Sequence, residues 1–289
     1  MARPMHRMET GPRGAAREAT RPAVPWLVRA ARLGYAANGT VYVLVGLLAF
    51  RAAFGDGGAA TDKKGALASL ADEPAGAVIL GVLAVGLLGY ALWRLVESTT
   101  DAEGYGTDAK GLAIRAAHLA TGVLFASLAV EAVRLAMAGH GADARPGPGG
   151  DGVEHVAARL LALPFGRALA TAAGAGVLAF GLAQIPRGWV TDVCKRLDVG
   201  RLDAAGQRWV ERTARFGHAA RGVVFTIAGW FLVRAALHHD PGEAAGMGES
   251  LTALERAPYG PWLLGAVSAG LIAFGAWQLL NARYRRIRA

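Results

Sequence analysis

Paired arginines are the first residues whose spacing invites a chemical reading. Arg32 and Arg51 bracket eighteen uncharged residues in RLGYAANGTVYVLVGLLAFR. The same bracket recurs at Arg115 and Arg134, and again at Arg215 and Arg234. A helix joining such a pair rises about 28 Å at 1.5 Å per residue, close to the ~30 Å hydrocarbon thickness of a bilayer. Each pair is therefore expected to mark two membrane surfaces, with the guanidinium groups snorkelling to phosphates. If the three bracketed helices line a common axis, Arg51, Arg134 and Arg234 could form a ring that binds one anionic group or lipid headgroup.

Other polar residues carry less. Glu131 reads as the only carboxylate well inside a span. It precedes Arg134 by three residues, which favours a local intramembrane ion pair on one helix face. The other copies have Leu48 and Phe231 at that position. His118 and His218 fall near the inner interface, but metal binding would need a third ligand that is not evident. His238, His239 and Asp240 form a small outer cluster with weak metal potential. Cys194 stands alone, so no intramolecular disulfide can form. G-x-S-x-G, H-E-x-x-H, C-x-x-C and Walker patterns are absent, and PGPGGDG at 146–152 lacks a strand-to-helix context. No catalytic residue, cofactor or metal is expected.

The elements that position these residues follow from composition. The 289 residues are 53% hydrophobic and 18% charged, with 40 glycines, and the mean hydropathy is +0.31. Soluble domains carry about 25% charge, so membrane helices are indicated. The net charge of +9 sits at segment ends, which suits anionic lipid better than nucleic acid. Six apolar segments can span a bilayer, at about 30–53, 75–96, 112–137, 165–186, 214–237 and 260–281. The third and fourth are the weakest, being alanine-rich. Residues 1–25 read as a disordered basic tail, and the apolar run that follows is too long for a signal-peptide core. The tail, the loop 187–213 and the C-terminal NARYRRIRA are arginine-rich, whereas the alternate loops carry more Asp and Glu. The positive-inside rule then places both termini in the cytoplasm of a bacterial inner membrane.

The chain also repeats itself. Gly39, Gly122 and Gly222 follow the first arginine of each bracket by seven residues, and Tyr42, Phe125 and Phe225 follow three later. Each second helix begins near Pro74–Gly76, Pro164–Gly166 or Pro258–Gly260. It continues through Gly86, Gly176 and Gly270 to Tyr90, Phe180 and Phe274, then to Arg94, Gln184 and Gln278. The six bracket and mid-span glycines are expected to let helices pack closely. Leu67 and Leu70, Ala157 and Leu160, and Leu251 and Leu254 suggest a short interfacial helix before each second span. The fold class is thus all-α integral membrane. Six transmembrane helices form three parallel two-helix repeats with pseudo-threefold symmetry about the membrane normal.

ARLGYAANGTVYVLVG at 31–46 and GLLGYALWR at 86–94, with their echoes, resemble the bacterial DUF1206 membrane proteins. That resemblance implies three copies of a two-helix module across about residues 28–285, with no activity attached. The second copy departs most, with His118 for tyrosine and no counterpart of Trp93 and Trp277. The organisation is then repeat 1 at 28–97, repeat 2 at 110–187, an amphipathic cytoplasmic loop at 188–212 and repeat 3 at 213–283. The loop could lie on anionic lipid or dock a cytosolic protein. The leading expectation is a non-enzymatic scaffold or lipid- or protein-interacting module. The alternative is a transporter or channel for a small solute or ion through the pseudo-threefold centre. Tyr42, Phe125 and Phe225 near the midplane argue against an aqueous pore.

Overall fold

A computed structural model describes residues 25–55, 61–71, 73–100, 106–138, 152–190, 197–198 and 203–285. The basic tail before residue 25, most of PGPGGDG, Cys194 and the last arginines lie outside these residues.

Apolar runs and strong helix formers dictate helices, and helices account for almost every described residue. In chain order they are α1 (Pro25–Phe54), α2 (Lys63–Ala71), α3 (Gly76–Thr100), α4 (Ala109–Ala138), α5 (Gly152–Leu161), α6 (Gly166–Val190), α7 (Ala204–His238), α8 (Met247–Glu255) and α9 (Gly260–Tyr284). Six of them, α1, α3, α4, α6, α7 and α9, are long and apolar enough to cross a membrane. The short α2, α5 and α8 precede each second span, with Leu67, Ala157 and Leu251 fully buried. Sequence periodicity and structure agree on these three.

Helix ends follow local chemistry. Asp62, Asp108 and Asp203 each accept a hydrogen bond from a backbone N–H three residues on, at 2.9, 2.9 and 2.8 Å. These are N-caps for α2, α4 and α7. The Pro-x-Gly motifs make the reversal into each second span. Phe165 and Tyr259 sit in the left-handed region (φ 61° and 62°) immediately before Gly166 and Gly260.

The spans pack in an order set by the repeats. α3 packs on α4, α6 on α7 and α9 back on α1, so each second helix meets the first helix of the next repeat. Within repeats, α1 packs on α3 and α7 on α9. The second repeat differs: α4 and α6 make almost no contact with each other. The cycle of helices is therefore open at one seam. Burial agrees, at 56% of the apolar window in α1, α3 and α9 but 22% in α6.

The glycines report the same asymmetry. Gly39, Gly122 and Gly222 lie at contacts between repeats, against Gly275, against Ala91 and Leu95, and against Gly181 and Ile185. Gly86 and Gly270 lie at contacts within a repeat, against Ala37 and Ala220. A side chain at Gly176 would meet nothing within 4 Å. Ala37 and Ala220 are buried, while the matching Ala120 is exposed.

A sequence difference accompanies the open seam. Gly34 and Gly217 face the backbones of Tyr90 and Phe274, where an added methyl would lie 2.5 and 2.6 Å away. The second repeat has Ala117 at this position. Its methyl occupies the space that the other two hairpins use for close approach.

Candidate functional site

Three aromatic pairs mark the junctions between repeats, one at each. Tyr90 meets Phe125 edge-on at 4.6 Å between ring centres, Phe180 meets Phe225 at 5.5 Å, and Phe274 meets Tyr42 at 4.7 Å. Each pair joins the aromatic of a second helix to that of the following first helix. Edge-on pairs contribute about 0.5–1.5 kcal/mol each beyond area burial.

Two cations enter this aromatic layer, and neither was expected. Arg221 lies on α7, one residue before the packed Gly222. Its guanidinium carbon is 4.9 Å from the Phe274 ring centre, 5.0 Å from Phe225, 5.5 Å from Phe180 and 5.9 Å from Tyr42. Lys63 arrives from the opposite side, at the start of α2, where the Asp62 cap fixes the helix. Its ammonium is 4.3 Å from the Tyr42 ring centre and 4.4 Å from that of Phe125. Tyr42 is thus shared by both cations. Its buried hydroxyl interacts with both the Lys63 ammonium and the Arg221 guanidinium.

Neither cation has a carboxylate within ion-pair distance among the described residues. Ring faces attract cations by about 0.5–2 kcal/mol at close range. Both cations are only partly exposed, and a charge drawn partly out of water without an ion-pair partner loses hydration that ring contacts return only in part. Burial pulls the Lys63 ammonium below the usual lysine range; Tyr42 opposes that shift and Arg221 adds to it. The site can accept negative charge.

A second polar cluster lies toward the end of the bundle where the described termini of α3 and α9 meet. Glu97, with no exposed side-chain surface, takes Arg94 at 2.6 Å, Arg285 at 3.7 Å and His118 at 3.7 Å. Arg94 also donates to the Tyr90 hydroxyl at 2.6 Å. Arg115 donates to the carbonyls of Ser98 and Thr99 at 2.7 and 3.0 Å. Leu197 pairs with Arg285 across an antiparallel bridge, and the Asp198 N–H donates to the Tyr284 carbonyl at 2.8 Å. α3 therefore runs past residue 96 to Thr100. This places Glu97 inside the helix and makes it, rather than Glu131, the most deeply buried carboxylate among the described residues.

The residues singled out from sequence are dispersed. Glu131 pairs with Arg134 at 3.0 Å, with the arginine largely exposed. Arg234 pairs with Glu243 at 3.2 Å, and Glu243 also binds His238 at 2.8 Å. The His238 hydrogen bond is the main cause that holds the Glu243 carboxyl below its usual range. Arg51 is exposed. Arg234 lines a cavity of about 730 Å³ on the hairpin side, with Asp62, Glu243, Glu249 and Arg256. His218 packs edge-on against Phe274 at 5.3 Å. Among the described residues no three metal ligands converge. The described ends of loop 187–213 continue α6 and α7, with Trp189 and Trp209 exposed; residues 191–196 and 199–202 lie outside the described residues.

Arg221 left a signal that sequence reading passed over. Its counterparts before the bracket glycines are Asn38 and Thr121, so this position is polar in all three copies. Lys63 left none, because it reaches the centre from a loop helix.

Comparison with known proteins gives a consistent picture. The family model described as Domain of Unknown Function (DUF1206) matches residues 33–101, 116–191 and 216–285, one segment per hairpin. An uncharacterized protein of Bacillus subtilis (strain 168) is 32% identical over 263 residues, covering 91% of this chain and 93% of that protein. No solved structure matches.

Proposed function

The chain belongs to the DUF1206 family, and from that premise we propose that it is a multi-pass membrane protein whose centre binds the anionic group of a ligand. The carrying observation is the placement of Lys63 and Arg221 in one aromatic layer with no carboxylate within ion-pair distance among the described residues. This falls on the ligand-interacting side of the scaffold reading. The bacterial inner membrane, with both termini cytoplasmic, remains the setting that the arginine distribution supports. Arg51 and Arg134 contact anionic headgroups at the outer surface. The separate carboxylates beside Arg134 and Arg234 favour individual contacts over a shared ring. The basic stretch 187–213 lies on the inner leaflet, or serves as a dock for a cytosolic partner.

Transport is the second reading, favoured by depth. Arg221 lies six residues past Arg215, about 9 Å along the helix from that surface. A solute passing through the centre would meet it.

The test is thermal unfolding of the purified full chain in neutral detergent. Inorganic phosphate and phosphatidylglycerol are added separately, with sodium chloride as the ionic control. Ligand that binds only the folded state raises the midpoint. At least one probe should raise it beyond the control, and Arg221→Gln or Lys63→Gln should abolish the rise. No rise with either probe, or a rise that both variants keep, overturns the proposal.

A further inference from the structure

We infer that the occupant of the central site is an anionic membrane lipid that enters sideways through the seam between α4 and α6; this rests on the anion-binding reading above. The seam is where the wall of the site is incomplete. α4 contributes Phe125, beside Lys63, and α6 contributes Phe180, beside Arg221, yet the two helices do not pack on each other. Phe180 is 36% exposed while its ring lies 5.5 Å from the guanidinium. One side chain therefore faces both the outside of the bundle and the central cation. Tyr42, 1% exposed, sets its hydroxyl against the same two cations.

The chemistry of the seam selects the occupant. Its lips include the small Ala117 and Ala120 on α4 and Gly176 on α6, all exposed, and the exposed Leu124 at the position of the buried Val41 and Val224. In the closed hairpins the matching Ala37 and Ala220 are covered by the partner helix. A bilayer-facing slot of apolar residues accepts a hydrocarbon chain. Lys63 and Arg221 at its inner end complement an anionic head.

The other entrances suit an anion less. The hairpin-side cavity carries Asp62, Glu243 and Glu249 against Arg234 and Arg256. The opposite side carries the Glu97 carboxylate, with no exposed side-chain surface, among Arg94, Arg285 and His118.

The experiment counts bound phosphatidylglycerol by native mass spectrometry of the full chain in neutral detergent. Inorganic phosphate is followed in parallel by thermal shift. Gly176→Trp fills the slot at a position where a side chain meets nothing. Gly81→Trp, on α3 and equally free of neighbours, is the control outside the slot. Gly176→Trp should weaken phosphatidylglycerol binding at least tenfold and leave any phosphate response intact, while Gly81→Trp binds lipid as the native chain does. Ala120→Trp, on the opposite lip, serves if Gly176→Trp fails to fold. Native-like lipid binding by the slot variants overturns lateral entry. So does phosphate binding without lipid binding, although the central site then stands. Native-like binding of both probes by Arg221→Gln removes the anion site itself.

Discussion

Hairpins one and three are closed, and hairpin two is open, although all three are built from one repeated pattern. In the closed pair, glycine at 34 or 217 lets the first helix touch the backbone of the second, and Gly86 or Gly270 returns the contact. In the open one, Ala117 replaces the first glycine and Gly176 faces empty space. One difference is a methyl group at the helix crossing; others are Ala170, Val177 and Ala183 where the first hairpin has the buried Leu80, Leu87 and Trp93. The contrast teaches that a membrane repeat can keep its fold while giving up an internal contact, provided neighbours hold each helix. α4 is held by α3, and α6 by α7. The gap this leaves faces the two central cations.

The largest effect should come from removing what holds α4 in the absence of its own hairpin partner. Glu97→Ala removes the carboxylate shared by Arg94, Arg285 and His118. Breaking such a buried pair costs about 3–5 kcal/mol. Glu131→Ala, whose partner Arg134 is exposed, should cost less than ~1 kcal/mol. Denaturant unfolding in neutral detergent compares the two, and equal losses would deny Glu97 its central place.

Next come the hairpin glycines themselves. Gly217→Ala and Gly270→Ala should each cost about 1–3 kcal/mol, the range for overpacking. Gly176→Ala should be neutral or stabilising by up to ~1 kcal/mol, since alanine favours helix and no neighbour is displaced. Thermal midpoints of the three variants read the comparison directly. A loss at Gly176 as large as at Gly270 would mean that hairpin two closes.

The centre behind the seam should respond to pH through Lys63. Its folded pKa is lowered by burial, so the unfolded chain binds the proton more tightly. Stability of the ligand-free protein should then rise with pH across the alkaline window up to the usual lysine value near 10.5. Lys63→Met should remove that component, as a pH series of thermal midpoints can show.

The smallest effect lies at the exposed mouth, where Glu243 is held below its ordinary pKa of 4.5. Its contribution is present above that value and fades as pH falls through the lowered one. Glu243→Gln should flatten a slight acid-side decline in the same series.

Much of this architecture was legible in the sequence. The arginine brackets, the Pro-x-Gly reversals and the repeated glycines lead to six spans and three interfacial helices, because bilayer length and helix packing constrain them locally. Their packing partners were less legible. Gly86 and Gly176 look equivalent in sequence, and their surroundings are separated by differences at other positions, Gly34 against Ala117 among them. Arg221 was hidden by its place in an apolar run, and Lys63 by its place in a loop, since attraction to aromatic faces leaves no periodic trace. Glu97 was missed because α3 runs one turn past its apolar segment to bury it.

Electron cryo-microscopy of the full chain in bilayer nanodiscs containing phosphatidylglycerol tests the central claim most directly. The account predicts density for an anionic head between the Arg221 guanidinium and the Lys63 ammonium, with α4 and α6 apart beside it. An empty centre, with Gly176 packed against Ala120 as Gly270 is against Ala220, would contradict it.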